Sequence, residues 1–226
     1  MNERSCVNGL ENYRPRARPG DVTLAGRYGS VEKLDPLKHG SDLWAAFKGH
    51  SGLWDYMPYG PFENAKAFDE WLAGRAALED PYVYSVLGRD GRALGIAALM
   101  RITPEMGVIE VGHIAYSPAL QRTQLATEAQ YLLAAYVFDT LHYRRYEWKC
   151  NALNGASRRA AERYGFTFEG IFRQHMVVKG KNRDTAWFSI TNAEWPERKA
   201  AFERWLAPEN FDEQGRQKSR LNAGVS

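Results

Sequence analysis

Three strand-like runs follow one another at residues 82–87, 93–102 and 108–116, and the turns between them are too short for anything but hairpins. The first junction, Arg89-Asp90-Gly91-Arg92, contains an Asp-Gly pair, which tolerates positive φ. The second is Thr103-Pro104-Glu105-Met106-Gly107. An antiparallel meander of this kind needs cover on its apolar faces to be stable. Pro118 ends the third run, and a helix is predicted from Thr123 or Gln124 to about Leu141. Leu125, Ala129, Leu132, Leu133, Tyr136 and Val137 make its apolar face. A strand at Arg145–Cys150 follows, and a helical crossover allows it to lie parallel to the strand before it.

The flanking segments extend this pattern. A strand is predicted near Val22, a short helix capped by Ser41 carries Leu43, Trp44 and Phe47, and a second helix starts near Glu63. After Cys150, Asn154 can cap a helix that Gly165 ends. Phe166–Phe168 and Asp184–Ile190 read as strands, and Trp195-Pro196 opens a last helix ending near Leu206. The expected fold class is α+β (mixed α/β): a mixed, mostly antiparallel central sheet of about seven strands flanked by helices. Residues 1–20 read as an arm and 21–193 as the main domain. Residues 194–226 read as a helix followed by a polar, loosely ordered tail.

Composition narrows the function classes. The 226 residues are 44% hydrophobic and 13% aromatic, which excludes a largely disordered chain. A net charge of +3 is too small to point to nucleic acid. No run is apolar enough to span a bilayer, and the Arg-bearing N-terminus lacks the apolar core of a signal peptide. Two distant cysteines, Cys6 and Cys150, form neither a disulfide framework nor a metal cluster. The expectation is a reduced, cytoplasmic protein without a metal, a nucleic-acid partner or a membrane partner.

The junction between the third meander strand and its helix is the most informative stretch, and its geometry permits a phosphate without demanding one. The first N–H groups of a helix lack internal partners and, with the helix dipole, favour an anion. Thr123 and Thr127 add hydroxyl donors. Glu110 lies on the strand leading to this point, sharing a face with Gly112 and Ile114, whereas His113 is expected on the opposite face. The aromatic stretch Trp54, Asp55, Tyr56, Tyr59 and Phe62 could equally close the core.

Taken together these motifs resemble the GCN5-related N-acetyltransferase superfamily, in particular the branch that acetylates protein N-termini such as those of ribosomal proteins. The resemblance covers about residues 22–192. Gln121-Arg122-Thr123-Gln124-Leu125-Ala126 matches the family's Gln/Arg-x-x-Gly-x-Gly/Ala at Gln121 and Ala126, and departs from it at Gln124. Asn154-Gly155-Ala156-Ser157, followed by Gly165-Phe166 and Glu169-Gly170, resembles its second motif. Arg173-Gln174-His175-Met176 and Asp184-Thr185-Ala186-Trp187-Phe188 resemble its final hairpin.

The resemblance implies acetyl transfer from acetyl-CoA, as co-substrate, to a primary amine. The coenzyme would be held by Ile114, Ala115, Tyr116, Gln121, Arg122, Thr123, Gln124, Leu125, Ala126, Thr127, Asn154 and Ser157. Glu110 is the first candidate base, with His113, His175 or a water relay as alternatives. One standard base position is occupied by Met176. Ser157 is the candidate acid, since the family's usual tyrosine position is Ala161. Trp54, Asp55 and Tyr56 would border the acceptor. The implied acceptor is a protein or peptide N-terminus. A polyamine or antibiotic amine is the alternative within the enzyme class, and a CoA-binding regulatory module the alternative outside it. A homodimer through the last strands or the last helix fits the same layout. The arginine-rich pieces 144–145, 158–159 and 179–183 read as solvated faces or as contacts to the coenzyme 3′-phosphate.

Overall fold

The computed structural model describes residues 10–221. Arg4, Cys6 and the first half of the expected arm lie outside the described residues, as do the last five residues of the tail. The elements in chain order are β1 (Thr23–Ala25), β2 (Gly29–Lys33), α1 (Pro36–Phe47), α2 (Ala65–Ala76), β3 (Tyr82–Gly88), β4 (Ala93–Thr103), β5 (Val108–Tyr116) and α3 (Gln124–Ala135). They continue with β6 (Arg145–Asn151), α4 (Gly155–Arg163), β7 (Thr167–Val178), β8 (Lys181–Thr191) and α5 (Trp195–Leu206). The strands form one sheet in the order β1-β2-β3-β4-β5-β6-β8-β7, and every pair is antiparallel except β5–β6.

Alternation along the strands supplies two cores. Tyr84, Val86, Ala97, Leu99, Ile109 and Val111 face the layer of α3 and α5, where Leu133, Phe202 and Trp205 meet them. Val83, Ile96, Ala98 and Ala115 face α1 and α2, against Leu43, Phe47, Phe68 and Leu72. The central strands β3, β4 and β5 are therefore buried on both faces, which explains their near-continuous apolar reading.

Several expectations change. The segment near Val22 is two short strands, β1 and β2, so the sheet has eight strands among the described residues. The cap of α1 lies six residues before Ser41: Asp35 is the N-cap, accepting from Leu37 N at 2.9 Å, and Pro36 stands at the first helical position. Strand β7 runs twelve residues rather than three, because β8 pairs with it to Val178. The helix expected to reach Leu141 stays α-helical to Ala135 and ends in a wide π-type turn at Tyr136–Thr140.

The tail expected to be loose is packed. Asn210, which is buried, donates to Trp205 O at 3.0 Å and accepts from Ser219 N at 2.9 Å, and Leu221 is buried. Trp205 Nε1 donates to Gln217 Oε1 at 2.9 Å, so residues 207–221 fold back over the end of α5.

Glu128 ties α3 to the edge of the sheet. Its buried carboxylate accepts from Arg27 N at 2.6 Å and Tyr28 N at 2.7 Å in the β1–β2 turn. A Cβ on Gly26 would lie 2.3 Å from that carboxyl carbon, so the turn closes only over glycine. Glu128→Ala strands both donors and is expected to lower unfolding free energy by about 2–4 kcal/mol in urea titration. A loss under about 0.5 kcal/mol would show that the turn does not depend on this side chain.

Candidate active site

The site begins where β5 leaves β6. The parallel ladder runs only from Val108–Arg145 to Val111–Trp148, although β5 continues to Tyr116 and β6 to Asn151. On its other side β5 stays paired with β4, but the register shifts: three steps from Gly112 to Ala115 face two from Ala98 to Ile96. The extra residue is a β-bulge centred on His113, whose φ is +48°. Bulges bend the strand and increase its twist. The separated ends of β5 and β6 enclose a cavity of about 520 Å³.

This cavity collects Glu110, Gly112, His113, Ile114, Ala115 and Tyr116 from β5. Lys149, Cys150 and Asn151 come from β6, and Asn154 and Ser157 from the start of α4. Its outer wall is the Gly52–Pro58 turn, Met100 and Arg101, and the β7–β8 hairpin residues Met176, Val178 and Arg183. His113 is thus in the same cavity as Glu110: the bulge breaks the two-residue period that had put it on the opposite face. It stacks on Tyr59, and its Nδ1 lies 2.7 Å from the Tyr59 hydroxyl. Burial, reinforced by nearby arginines, pulls its pKa down to about 4, so the ring is neutral at pH 7.

Glu110 is buried at 4% exposure. Burial raises its carboxyl pKa, and the neighbouring Lys149 ammonium opposes that rise. Lys149 Nζ lies 2.9 Å from Glu110 Oε2, off the hydrogen-bonding axis, and 2.6 Å from Glu147 Oε2. Arg101 Nε approaches the same Glu110 oxygen at 3.5 Å. A Cβ on Gly112 would meet Met100 Sδ at 2.5 Å and Glu110 Oε1 at 3.4 Å, so glycine keeps the space beside the carboxylate open.

Ser157 is held from two sides. Its N–H donates to Asn154 Oδ1 at 3.0 Å, the N-cap bond of α4, and its Oγ accepts from Trp148 Nε1 at 2.9 Å. Burial raises the pKa of the Cys150 thiol, and Ser157 opposes that rise.

A second hollow of about 750 Å³ continues from the first, sharing Tyr116, Gln121, Ala156, Ala160 and Tyr164. It lies across the N-terminus of α3. Thr123 caps that helix, its hydroxyl accepting from Ala126 N at 3.1 Å and donating to Leu120 O at 2.7 Å. The N–H groups of Arg122, Gln124 and Leu125 have no partner among the described residues. Arg122, Arg159, Arg163 and Arg216 ring the hollow, and the first three have no carboxylate partner among the described residues. Unpaired N–H groups and surplus guanidinium charge suit a diphosphate.

The expected coenzyme residues all line one of these hollows except Leu125, whose side chain is in the core. Gln124 lines the hollow with Gly215, and its Nε2 donates to Gly215 O at 3.2 Å, pinning the tail beside the groove. Of the three expected acceptor residues only Tyr56 lines the cavity. Trp54 is buried among Phe47, Tyr59, Phe62 and Trp71, and Asp55 is exposed outside it. His175 bonds Thr185 Oγ1 at 3.0 Å and does not line the cavity, whereas its neighbour Met176 does.

Lys149, Arg101, Cys150 and the tail residues 215–217 were not among the expected site residues. Arg183, read as part of a solvated face, is half-buried in the cavity. The sequence signal for Lys149 was its alternation with Glu147 beside Glu110, a pattern of charges inside an otherwise apolar sheet.

A family profile described as the acetyltransferase (GNAT) domain matches residues 34–167. This chain belongs to the GNAT family. The acetyltransferase is similar to a GCN5-related N-acetyltransferase from Brucella melitensis, with 49% identity over 94% of this chain and 97% of that one, and a TM-score of 0.92. It is also similar to a probable GNAT-family acetyltransferase from Chromobacterium violaceum, with 42% identity over 87% and 99% of the two chains and a TM-score of 0.80. RimL, a ribosomal L7/L12 α-N-protein acetyltransferase, shares the fold at 17% identity, over 79% of this chain and 98% of that one, with a TM-score of 0.67. No curated protein matches. The family uses acetyl-CoA as co-substrate, and the two joined hollows suit it: an anion cradle at one end and a narrow slot to Glu110 at the other. Among the described residues no helix is long and apolar enough to cross a membrane.

The neutral His113 makes the acetyltransferase acid-sensitive. The unfolded chain binds a proton at the ordinary value of 6.5 and the folded chain only near 4, so stability falls as pH drops through that interval. In His113→Asn, which tolerates the positive φ, this component is absent. Urea unfolding at pH 7 and pH 4.5 should show wild type losing about 2–3 kcal/mol relative to the variant. Parallel losses in both proteins would remove His113 as the source.

Proposed function

We propose that this acetyltransferase moves the acetyl group of acetyl-CoA to the N-terminal α-amine of a protein or peptide. The observation that carries this reading is the charge of the acceptor end. Arg101, Lys149 and Arg183 reach this cavity; Glu110 and Glu147 offset the first two and the Arg183 charge is left in surplus, so a polyamine or an antibiotic with several ammonium groups would be repelled. The Gly52–Pro58 turn and the β7–β8 hairpin form the wall along which an extended chain end would lie.

The proton balance favours the same acceptor. An α-ammonium has a pKa near 8, against about 10.4 for a lysine. A buried carboxyl raised above the ordinary carboxylate range is the better match to the first.

Acetyl-CoA, when bound, supplies an acetyl group activated as a thioester. The chain supplies the rest. The free N–H groups at the start of α3 and the Arg122, Arg159 and Arg163 side chains hold the diphosphate. The β6-facing edge of Gly112–Tyr116, released from the ladder, orients the pantetheine arm and the acetyl carbonyl. Asn154, its Oδ1 committed to the cap, retains its Nδ2 hydrogens for that arm. Glu110 takes the proton from the α-ammonium, and Lys149 holds the carboxylate in place. Ser157, whose Oγ already accepts from Trp148, offers its hydroxyl hydrogen to the departing sulfur.

CoA release is expected with a short peptide bearing a free α-amine and is lost when that amine is blocked. Spermidine should turn over at least about tenfold more slowly. Glu110→Gln should lower kcat on the peptide by about 10²–10⁴-fold and leave acetyl-CoA affinity nearly unchanged. A preference for spermidine would overturn the acceptor. Unaltered kcat in the variant would remove Glu110 as base.

A further inference from the structure

The charges of the cavity form a ladder that nearly neutralises itself. Arg101 meets Glu110, Lys149 lies between Glu110 and Glu147, and Arg145 bridges Glu147 and Glu169. Arg145 donates to Glu147 Oε1 at 2.7 Å and to Glu169 Oε1 at 2.7 Å. Three cations and three carboxylates are accounted for in this way. Arg183 is left over. It lines the cavity from β8, half-buried, and its one polar contact is Nε donating to Thr185 Oγ1 at 3.2 Å. Among the described residues no carboxylate lies within salt-bridge distance of its guanidinium.

A half-buried guanidinium with its outer N–H groups unused is costly unless something else completes it. Nearby Arg101 and Lys149 add to the positive potential, and the wall between these charges is apolar: Leu53, Met57, Met100, Met176 and Val178. The low dielectric of such a wall strengthens attraction for an anion. Guanidinium geometry matches a carboxylate bidentately.

We propose that Arg183, flanked by Arg101, reads a carboxylate carried by the acceptor within a few bonds of the reacting amine. In a peptide this is an acidic residue next to the N-terminal one. In a small molecule it is the α-carboxylate or side chain of an amino acid. The inference rests on the acetyl-transfer reading above and goes beyond it in stating what accompanies the amine. The acidic peptide is the favoured source, in keeping with the N-terminal acceptor proposed above.

The test compares CoA release by the full-length enzyme, at saturating acetyl-CoA, with matched peptides Ala-Asp-, Ala-Asn- and Ala-Lys-, free aspartate and spermidine. The expected result is kcat/KM for the Asp peptide about tenfold or more above the Asn peptide, with the Lys peptide lowest, as suits one charge-assisted hydrogen-bonded pair. In Arg183→Gln the Asp-to-Asn ratio should fall towards one, and Arg183→Lys should restore part of it. Equal rates for the Asp and Asn peptides would overturn the carboxylate inference and leave the N-terminal acceptor standing. Acetylation of aspartate but of no peptide would support the carboxylate and overturn the N-terminal acceptor. Turnover of spermidine alone, or of none of these acceptors, would overturn both. Should Arg183→Gln fail to fold, the wild-type peptide ratio decides by itself.

Discussion

Everything functional in this molecule depends on one interruption of hydrogen bonding: β5 and β6 pair over four residues and then part. The parting is local and has a local cause. A bulge at His113 inserts one residue against β4, in a left-handed backbone conformation, and turns the rest of β5 away. Sheet edges within a core are normally avoided, because unpaired N–H and C=O groups are expensive to bury. Here the exposed edge of Gly112–Tyr116 faces a cavity where a ligand amide can take the place of the missing strand. The same bulge rotates His113 into the cavity beside Glu110, so one backbone event sets both the shape and the polar content of the site.

The second constraint is electrostatic. Glu110, Lys149 and Glu147 are all nearly excluded from water, and none would be tolerable alone. Lys149 serves two carboxylates and also sits 3.9 Å over the Trp187 ring. Sharing the ammonium leaves each carboxylate only partly compensated. Burial keeps the Glu110 pKa raised, and a lysine shared in this way offsets only part of that rise. The hollow at the start of α3 follows the opposite rule: three guanidinium groups with no carboxylate partner among the described residues lie around the free N–H groups of α3.

The fold was largely legible, because long strands buried on both faces and tight turns leave strong local signals. Asp90-Gly91 gave the first hairpin, and the Asn154 and Gly165 caps gave both ends of α4. What was missed was set by tertiary contact. The start of α1 was obscured by Gly40 in its middle, whereas Asp35-Pro36 was the true signal. The length of β7 depends on pairing with β8. The tail looked unstructured by composition, yet Asn210, Gln217 and Leu221 each find a partner on or near α5.

The site divides similarly. Residues in motifs at the β5–α3 turn and the start of α4 came out together, because spacing in sequence maps onto one end of the sheet. The acceptor wall did not. Trp54 proved to be core, and Arg183 and Lys149 reach the cavity only through strand pairing. The position of His113 was misjudged because a bulge cannot be seen in the alternation it breaks. Gln124, a departure from the family pattern, lines the hollow and bonds the carbonyl of Gly215 in the tail.

The account stands or falls on the joined hollows being one coenzyme site. Isothermal titration of the purified full-length protein with acetyl-CoA tests that directly. One-site binding with micromolar or tighter affinity, weakened when Asn154→Asp removes the free amide donor but keeps the helix cap, is the predicted result. Absence of binding, or binding indifferent to that substitution, would contradict it.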